Sequence, residues 1–314
     1  MRYVLTRLRS TVLVLLGVSV LVFGLVRLLP GDITTTLAGS EGQLSADQRQ
    51  AVLRQFGLDQ PLPVQYLLWV ASMLRGNFGV SFRTGQAVGA LLLSRLPLTV
   101  ELALLSLALA ALVGIPLGVF VSSSTSKRLG ALAQVLGLLG LSVPSFWVAV
   151  VLVLTASFAF GWLPPVLFVM PWVDPGTNLQ QMLLPVLSLA LGLAAVILRM
   201  TRSSMLEVQG EEYVKVARAK GLGRPAVLLR HTLRNALIPI VTVLGLQLGT
   251  LLGGVVITEQ VFGLPGLGWT LLNGVYQRDY PVVQAAVILF ALMFAAINLV
   301  VDVLYTALDP RIRY

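Results

Sequence analysis

The densest set of chemically active side chains runs from Arg199 to Arg234, where eight Lys/Arg meet three Glu. Charge of that kind recognises surfaces: an anionic membrane, or the acidic face of a partner protein. The groups needed for catalysis are missing. There is no cysteine and one histidine, His231. That removes disulfides and thiolate metal ligands, and leaves too few residues for a zinc site built by this chain. No GxxxxGK[ST] stretch cradles phosphates, and neither HExxH nor GxSxG occurs. Glu101 and Asp302 are ionisable residues at the edges of apolar runs, where an interfacial structural role is favoured over a proton relay. Ser142, Gln247 and Asn298 are the polar residues that stand out inside such runs. Each either lines a translocation path or hydrogen-bonds a neighbouring helix. Glu259 falls just outside an expected span, where it meets either an arginine of an outer loop or a soluble docking partner.

The elements that must position these groups are membrane helices. Charged residues make up 11% of the 314, against roughly 25% in soluble domains, and the mean hydropathy is +0.89. The net charge of +9 is confined to loops and ends, which argues for topology determinants and against nucleic-acid binding. Six spans are expected, with both ends on one face. They are 11–26, 102–126, a long helix at about 131–160 interrupted near Pro144, 182–198, 236–258 and 285–301. Residues 45–56 read as a short helix opening on a Ser cap. Residues 61–74 are apolar but too short to span, and read as an interfacial or packed helix. Trp162 and Trp172 suit a membrane–water interface. Gly245, Gly249, Gly253 and Gly254 suit close helix packing. The organisation is a single transmembrane domain, 1–314. It has a first helix (1–29), an outward region (30–97) and a five-helix core (98–314) that carries the charged loop at 203–235.

Within that loop the spacing predicts two short helices and a hinge. Glu211 and Glu212 open the first, where the helix dipole favours negative charge, and Lys215, Arg218 and Lys220 follow toward its end. Gly221 reads as a left-handed residue just past the helix. Pro225 suits the first turn of the second helix. Ala226, Leu229, Leu233, Ala236 and Leu237 then form one apolar face. Ala217 and Ala219 are small enough to admit a close surface. Two readings are open on these residues alone: an amphipathic hairpin on anionic lipid, or a docking element for a soluble partner.

The wording of the loop, EEYVKVARAKGLGRPAVLLRHTLRNALIPIVT, resembles that of permease subunits of bacterial ABC importers, in the peptide/nickel group. So do PGD, LRQFGLDQPLPVQYLLWV, RGNFGVSF and RLPLTVELALL in the first third, and RDYPVVQAAVI and LDPRIRY at the end. The general importer motif has Glu where this chain has Lys215, so the match is to the peptide-type wording. The resemblance implies an all-α, six-helix, type I importer permease fold, with a cytoplasmic coupling-helix loop between helices 4 and 5. It implies a non-catalytic subunit of the bacterial cytoplasmic membrane with both termini inside. The expected partners are a homologous second permease, two ATP-binding subunits that hold ATP and magnesium, a substrate-binding protein outside, and membrane lipid. This chain would itself bind no cofactor. The coupling residues it carries over are Glu212, Tyr213, Ala217, Arg218, Ala219, Lys220, Gly221, Leu222, His231, Arg234 and Asn235. Dipeptides or oligopeptides are the expected cargo, with glutathione or a nickel complex as alternatives. An ion-coupled secondary transporter would instead show intramembrane ionisable residues and an inverted repeat, and neither is evident.

Overall fold

The structure is a computed structural model that describes residues 2–28, 50, 59–124 and 126–308. The helix expected at 45–56 lies outside the described residues, apart from the helical Gln50. Among the described residues all named elements are helical: α1 (Arg2–Leu28), α2 (Leu62–Leu74), α3 (Val88–Ser123), α4 (Lys127–Ser142), α5 (Ser145–Phe160), α6 (Pro175–Gln209), α7 (Glu212–Ala219), α8 (Arg224–Phe262), α9 (Leu267–Tyr276) and α10 (Tyr280–Leu308). Among the described residues five helices are long and apolar enough to cross a membrane, and the count is six if the bent pair of α4 and α5 is one span. At 1.5 Å per residue α3 and α6 reach about 50 Å, well beyond a hydrocarbon core of about 30 Å. Leucines and phenylalanines such as Leu13, Leu112 and Phe158 stay exposed. In lipid, such side chains need no protein cover.

The chain divides into two compact units. The first comprises residues 1–97 and 266–295. In it α2 packs on α1: the Ser19 and Tyr66 hydroxyls lie 2.8 Å apart, and Phe23 meets Tyr66 edge-on at 5.3 Å. The Arg27 guanidinium sits 3.4 Å from the Phe23 ring centre and donates to Gln65. Thus α2 is held by aromatic and polar contacts, although none of its residues is buried. Two cores fill the rest of this unit, one of Val88, Leu92, Leu267, Val282, Ala285 and Ala286 and one of Val22, Val26, Val283 and Ile288. Asp279, which is buried, accepts from the Ser81 hydroxyl at 2.5 Å and from the Phe82 N–H at 3.2 Å. That carboxylate fixes the turn before α3.

The second unit comprises residues 98–265 and 296–314. Here α6 packs against α4, α5 and α8. Leu98, Leu102, Met182, Val186, Leu189, Leu251 and Val255 form its main core. Gly114 and Gly118, four residues apart on α3, let α6 approach closely. A Cβ at either would lie 2.8 Å from a carbonyl oxygen of α6, that of Ala194 or Leu198. The break between α4 and α5 bends the chain by 97°. Val143 and Pro144 are extended there, and Pro144 has no N–H to continue the α4 ladder.

Several expected boundaries differ. The third span opens earlier than residue 131, because Lys127 and Arg128 form the first turn of α4, capped by the Ser126 hydroxyl. The fourth span continues past Arg199 and Arg202 to Gln209, because Thr201, Ser204 and Met205 still bury a face. The outer stretch expected after residue 258 is helical to Phe262 and again over Leu267–Tyr276. Of the span glycines, Gly245 packs on Val301, while Gly253 faces open space.

Candidate functional site

The charged segment folds as α7, a tight turn, and the start of α8. Glu212 and Lys215 pair one turn apart on α7 at 2.9 Å, with both side chains exposed. Such a pair contributes a few tenths of a kcal/mol, roughly 0.3–0.5 in an exposed helix. The seating of α7 comes from Val214 and Ala217, which are buried with Val227 of α8. A hydrogen bond fixes its rotation: Asn235 Nδ2 donates to the Tyr213 hydroxyl at 2.9 Å and to the His231 carbonyl at 2.9 Å. The turn follows at Gly221, whose φ of +78° is the left-handed value that ends the helix. Arg224 then donates to the Ser123 carbonyl, which ties the start of α8 to the end of α3.

The second helix is not short. It runs unbroken from Arg224 into the fifth span, through a π-helical stretch over Val227–Leu233. Bonding to i+5 widens the turn there, so Leu229 drops out of the expected face, while Leu233, Ala236 and Leu237 still pack with Met205 and Ile240. Leu229 is exposed, and the buried line runs Val227, Thr232, Ala236, Ile240, the first step being five residues. The Thr232 hydroxyl donates to the Val227 carbonyl at 3.2 Å across that step. Stretches of this kind favour functional sites.

Of the eleven expected coupling residues, Glu212, Tyr213, Arg218, Ala219, Lys220, Gly221, Leu222, Arg234 and Asn235 are exposed. His231 is half-buried. Ala217 is a correction: it is 6% exposed and packs inward on Val214 and Val227, so it cannot meet an outside surface. Val216 was not expected, yet it is 52% exposed, and Tyr213 and Leu222 are exposed as well. Exposed apolar side chains (Tyr213, Val216, Leu222) and exposed cations (Lys215, Arg218, Lys220) thus share α7 and its turn, the composition of a docking surface with a polar rim.

The amino-acid sequence matches two family models in succession. Residues 1–103 match the N-terminal region of the binding-protein-dependent transport system membrane component. Residues 114–314 match the binding-protein-dependent transport system inner membrane component. The chain belongs to that transport family. The glutathione transport system permease protein GsiC of Salmonella typhimurium is 43% identical over 314 residues, covering all of this chain and 99% of that protein. GsiC of Escherichia coli K12 is 40% identical over the same span. Among solved structures, the inward-facing MetNI methionine ABC transporter is similar in fold, with a TM-score of 0.57 at 19% identity. The match covers 70% of this chain and 96% of that one. An amino acid ABC transporter aligns with a TM-score of 0.54 at 17% identity, over 69% of this chain and 94% of that one. The protein is therefore an inner-membrane permease subunit of a peptide-type ABC importer. It works in a complex with ATP-binding subunits and is not itself a catalyst.

For a permease the remaining polar residues fall out as follows. Ser142 is exposed, and its hydroxyl donates to the Leu138 carbonyl at 2.9 Å. Gln247 accepts from the Thr250 hydroxyl at 3.4 Å on its own helix. Asn298 is half-buried. Among the described residues no hydrogen bond joins the three. Glu259 corrects the docking expectation. It is fully buried within α8 and accepts from the Thr99 hydroxyl at 2.6 Å. Packed away from the surface, it presents no charge to a soluble partner.

Sequence reasoning missed a buried polar cluster at the other end of α6. Gln181 donates to the Pro165 and Leu167 carbonyls and accepts from the Val169 N–H at 3.0 Å. Asn178 donates to the Val169 carbonyl at 3.0 Å and to Glu101 at 3.3 Å. These two side chains hold the 162–174 loop. The signal available was a pair of amides, three residues apart, opening an otherwise apolar helix.

Proposed function

We propose that this chain is the translocation subunit through which an ATP-driven importer brings glutathione or a short peptide into the cell. The docking surface is α7 and its turn: Tyr213, Val216 and Leu222 together with Lys215, Arg218 and Lys220. The observation that carries the reading is the rigid seating of this surface. Val214 and Ala217 anchor it, and the Asn235–Tyr213 hydrogen bond orients it. An exposed helix held this firmly can transmit a push, whereas a lipid-floating hairpin needs no such brace.

In this reading the loop and both termini are cytoplasmic. One homologous permease completes the pore, two ATP-binding subunits dock at the α7 surfaces, and a substrate-binding protein delivers cargo from outside. ATP and magnesium sit on the ATP-binding subunits, and none of the cofactor is held by this chain. ATP binding draws those subunits together, α7 moves as a lever, and the helices open outward. Hydrolysis resets them. This is a switch between two packed arrangements of one interface. The 40–43% identity to GsiC supports glutathione or a small peptide as cargo. Ser142, Gln247 and Asn298 remain the candidates to line the path, and membrane lipid surrounds the exposed apolar faces.

The test is affinity purification of the tagged permease in mild detergent, with charge reversal at Arg218 and Lys220. ATP-binding subunits should co-purify with the native chain and be lost from the variant, while yield and topology stay unchanged. Ligand stripped from a co-purifying binding protein then names the cargo. Equal recovery of the ATP-binding subunits with both chains would sink the docking surface.

A further inference from the structure

The end of α3 and the start of α4 border a cavity of about 380 Å³ that the docking surface does not use. Ser122, Ser124, Ser126, Lys127, Gln134 and Arg202 line it, so polar groups converge from the end of α3, the start of α4 and the side of α6. Two of these are cations from different helices, and among the described residues no acidic side chain lines the cavity. Among the described residues neither Lys127 nor Arg202 takes part in an ion pair. Arg202 Nε is buried and has no hydrogen-bond acceptor. A buried guanidinium N–H without an acceptor is costly, and an oxygen ligand removes the cost. The guanidinium tip rests over Gly130, where a Cβ would lie 3.1 Å from Nη2. The missing side chain at 130 is thus what makes room for it.

We infer that this cavity binds a phosphate group. An arginine fork suits two phosphate oxygens, and a lysine suits a third as a point charge. The serines add neutral partners. The Ser124 oxygen accepts from the Ser126 N–H at 3.2 Å, which leaves the Ser124 O–H to donate. A planar carboxylate would satisfy fewer of these directions than a tetrahedral phosphate. The volume exceeds that of one phosphate and admits an esterified group behind it. Basic pockets between helices at a membrane face commonly take phospholipid headgroups, and inorganic phosphate offers the same oxygens.

An occupant would brace the corner from which the docking surface hangs. Gln209 donates to the Ser122 carbonyl at 3.5 Å, and Arg224 donates to the Ser123 carbonyl. Both lie beside the cavity, one at the end of α6 and one at the start of α8.

The experiment uses the assembled transporter, purified in detergent or in nanodiscs, and follows its thermal unfolding. One arm adds inorganic phosphate in detergent. The other compares nanodiscs of phosphatidylglycerol mixed with phosphatidylcholine against phosphatidylcholine alone. At least one arm should raise the native protein's midpoint. In the Lys127→Gln/Arg202→Gln double variant the probe should bind about tenfold more weakly, as loss of charge-assisted hydrogen bonds predicts. Arg83→Gln, an exposed cation of the other unit, should respond like the native chain. A response to phosphate alone assigns the site to free phosphate; a response only to phosphatidylglycerol assigns it to a lipid headgroup. If the double variant folds poorly, Gly130→Ala, whose Cβ would lie 3.1 Å from Nη2 and push the guanidinium aside by a few tenths of an ångström without removing a charge, should weaken the same response. An unchanged response in the double variant or in Gly130→Ala, or no response of the native protein in either arm, overturns the proposal.

Discussion

Replacing Gly221 isolates one physical term, the backbone angle. Its φ is +78°, and a Cβ built there meets nothing within 4 Å. Any penalty is therefore conformational rather than a clash. A left-handed residue with a side chain costs roughly 1–2 kcal/mol, and a β-branched one costs more because its side chain crowds the flanking backbone. Asn tolerates this region better than other residues. The expected order of disturbance is Gly221→Asn, then Gly221→Ala, then Gly221→Val. A loss of about 1–2 kcal/mol shifts the populations of the turn about five- to thirtyfold. The fold should survive, because the turn is exposed and lies outside every core cluster. What suffers is the direction of Leu222 relative to Tyr213 and Val216, and with it the docking surface. The assay is titration of purified ATP-binding subunits onto the tagged permease, with limited proteolysis across 219–224 as a local probe of the turn. Affinity should fall in the stated order while membrane insertion stays constant. If Gly221→Val binds as tightly as the native chain and resists the protease equally, the left-handed turn does not set the docking geometry.

Three further outcomes follow from the packing. Gly118→Val should lower thermal stability by about 1–3 kcal/mol through overpacking: its Cβ would sit 2.8 Å from the Leu198 carbonyl and 2.5 Å from the Thr201 Cβ. Fluorescence-detected size exclusion after heating reads this, and native behaviour would mean α3 and α6 can separate freely. Glu259→Ala removes the acceptor of the buried Thr99 hydroxyl and should cost about 1–3 kcal/mol of stability. Affinity for a binding protein, measured on the folded fraction, should stay unchanged; a selective loss of that affinity would restore Glu259 to the surface role. Asp174 caps α6, and the Thr177 hydroxyl, with the Thr177 and Gly176 N–H groups, holds its carboxyl below the ordinary aspartate value. A depressed folded value means the contribution is complete above the unfolded pKa of about 4 and is lost as pH falls through the lower folded value. Amide exchange at residues 176–178 should accelerate at the acid end in the native chain, relative to its expected chemical rate. Asp174→Asn should show no such transition, and an identical profile in both would refute the cap.

Much of the architecture was written locally. Long uncharged runs fixed the spans, because lipid accepts only helices that satisfy their own backbone. Pro144 marked the break between α4 and α5, and Gly221 marked the end of α7, because proline and glycine act through their own backbone angles. The full-length wording carried the family.

Burial was not local. Ala217 and Ala219 are alike in sequence, yet Ala217 lies under Val227 while Ala219 is exposed. Which alanine faces inward depends on the helix that packs across it. Leu229 fitted an ideal helical face, but the π-helical turn at Val227–Leu233 shifts the register and turns it outward. Glu259 reads as a surface acid after an apolar run; the continuation of α8 to Phe262 and the Thr99 hydroxyl make it a core residue. The sequence by itself determined where the chain can cross a membrane, where it must turn, and which family it serves. Only the tertiary structure decided which side of each helix is spent on packing and which is left for a partner, because that choice belongs to the surfaces that meet and not to the residues one at a time.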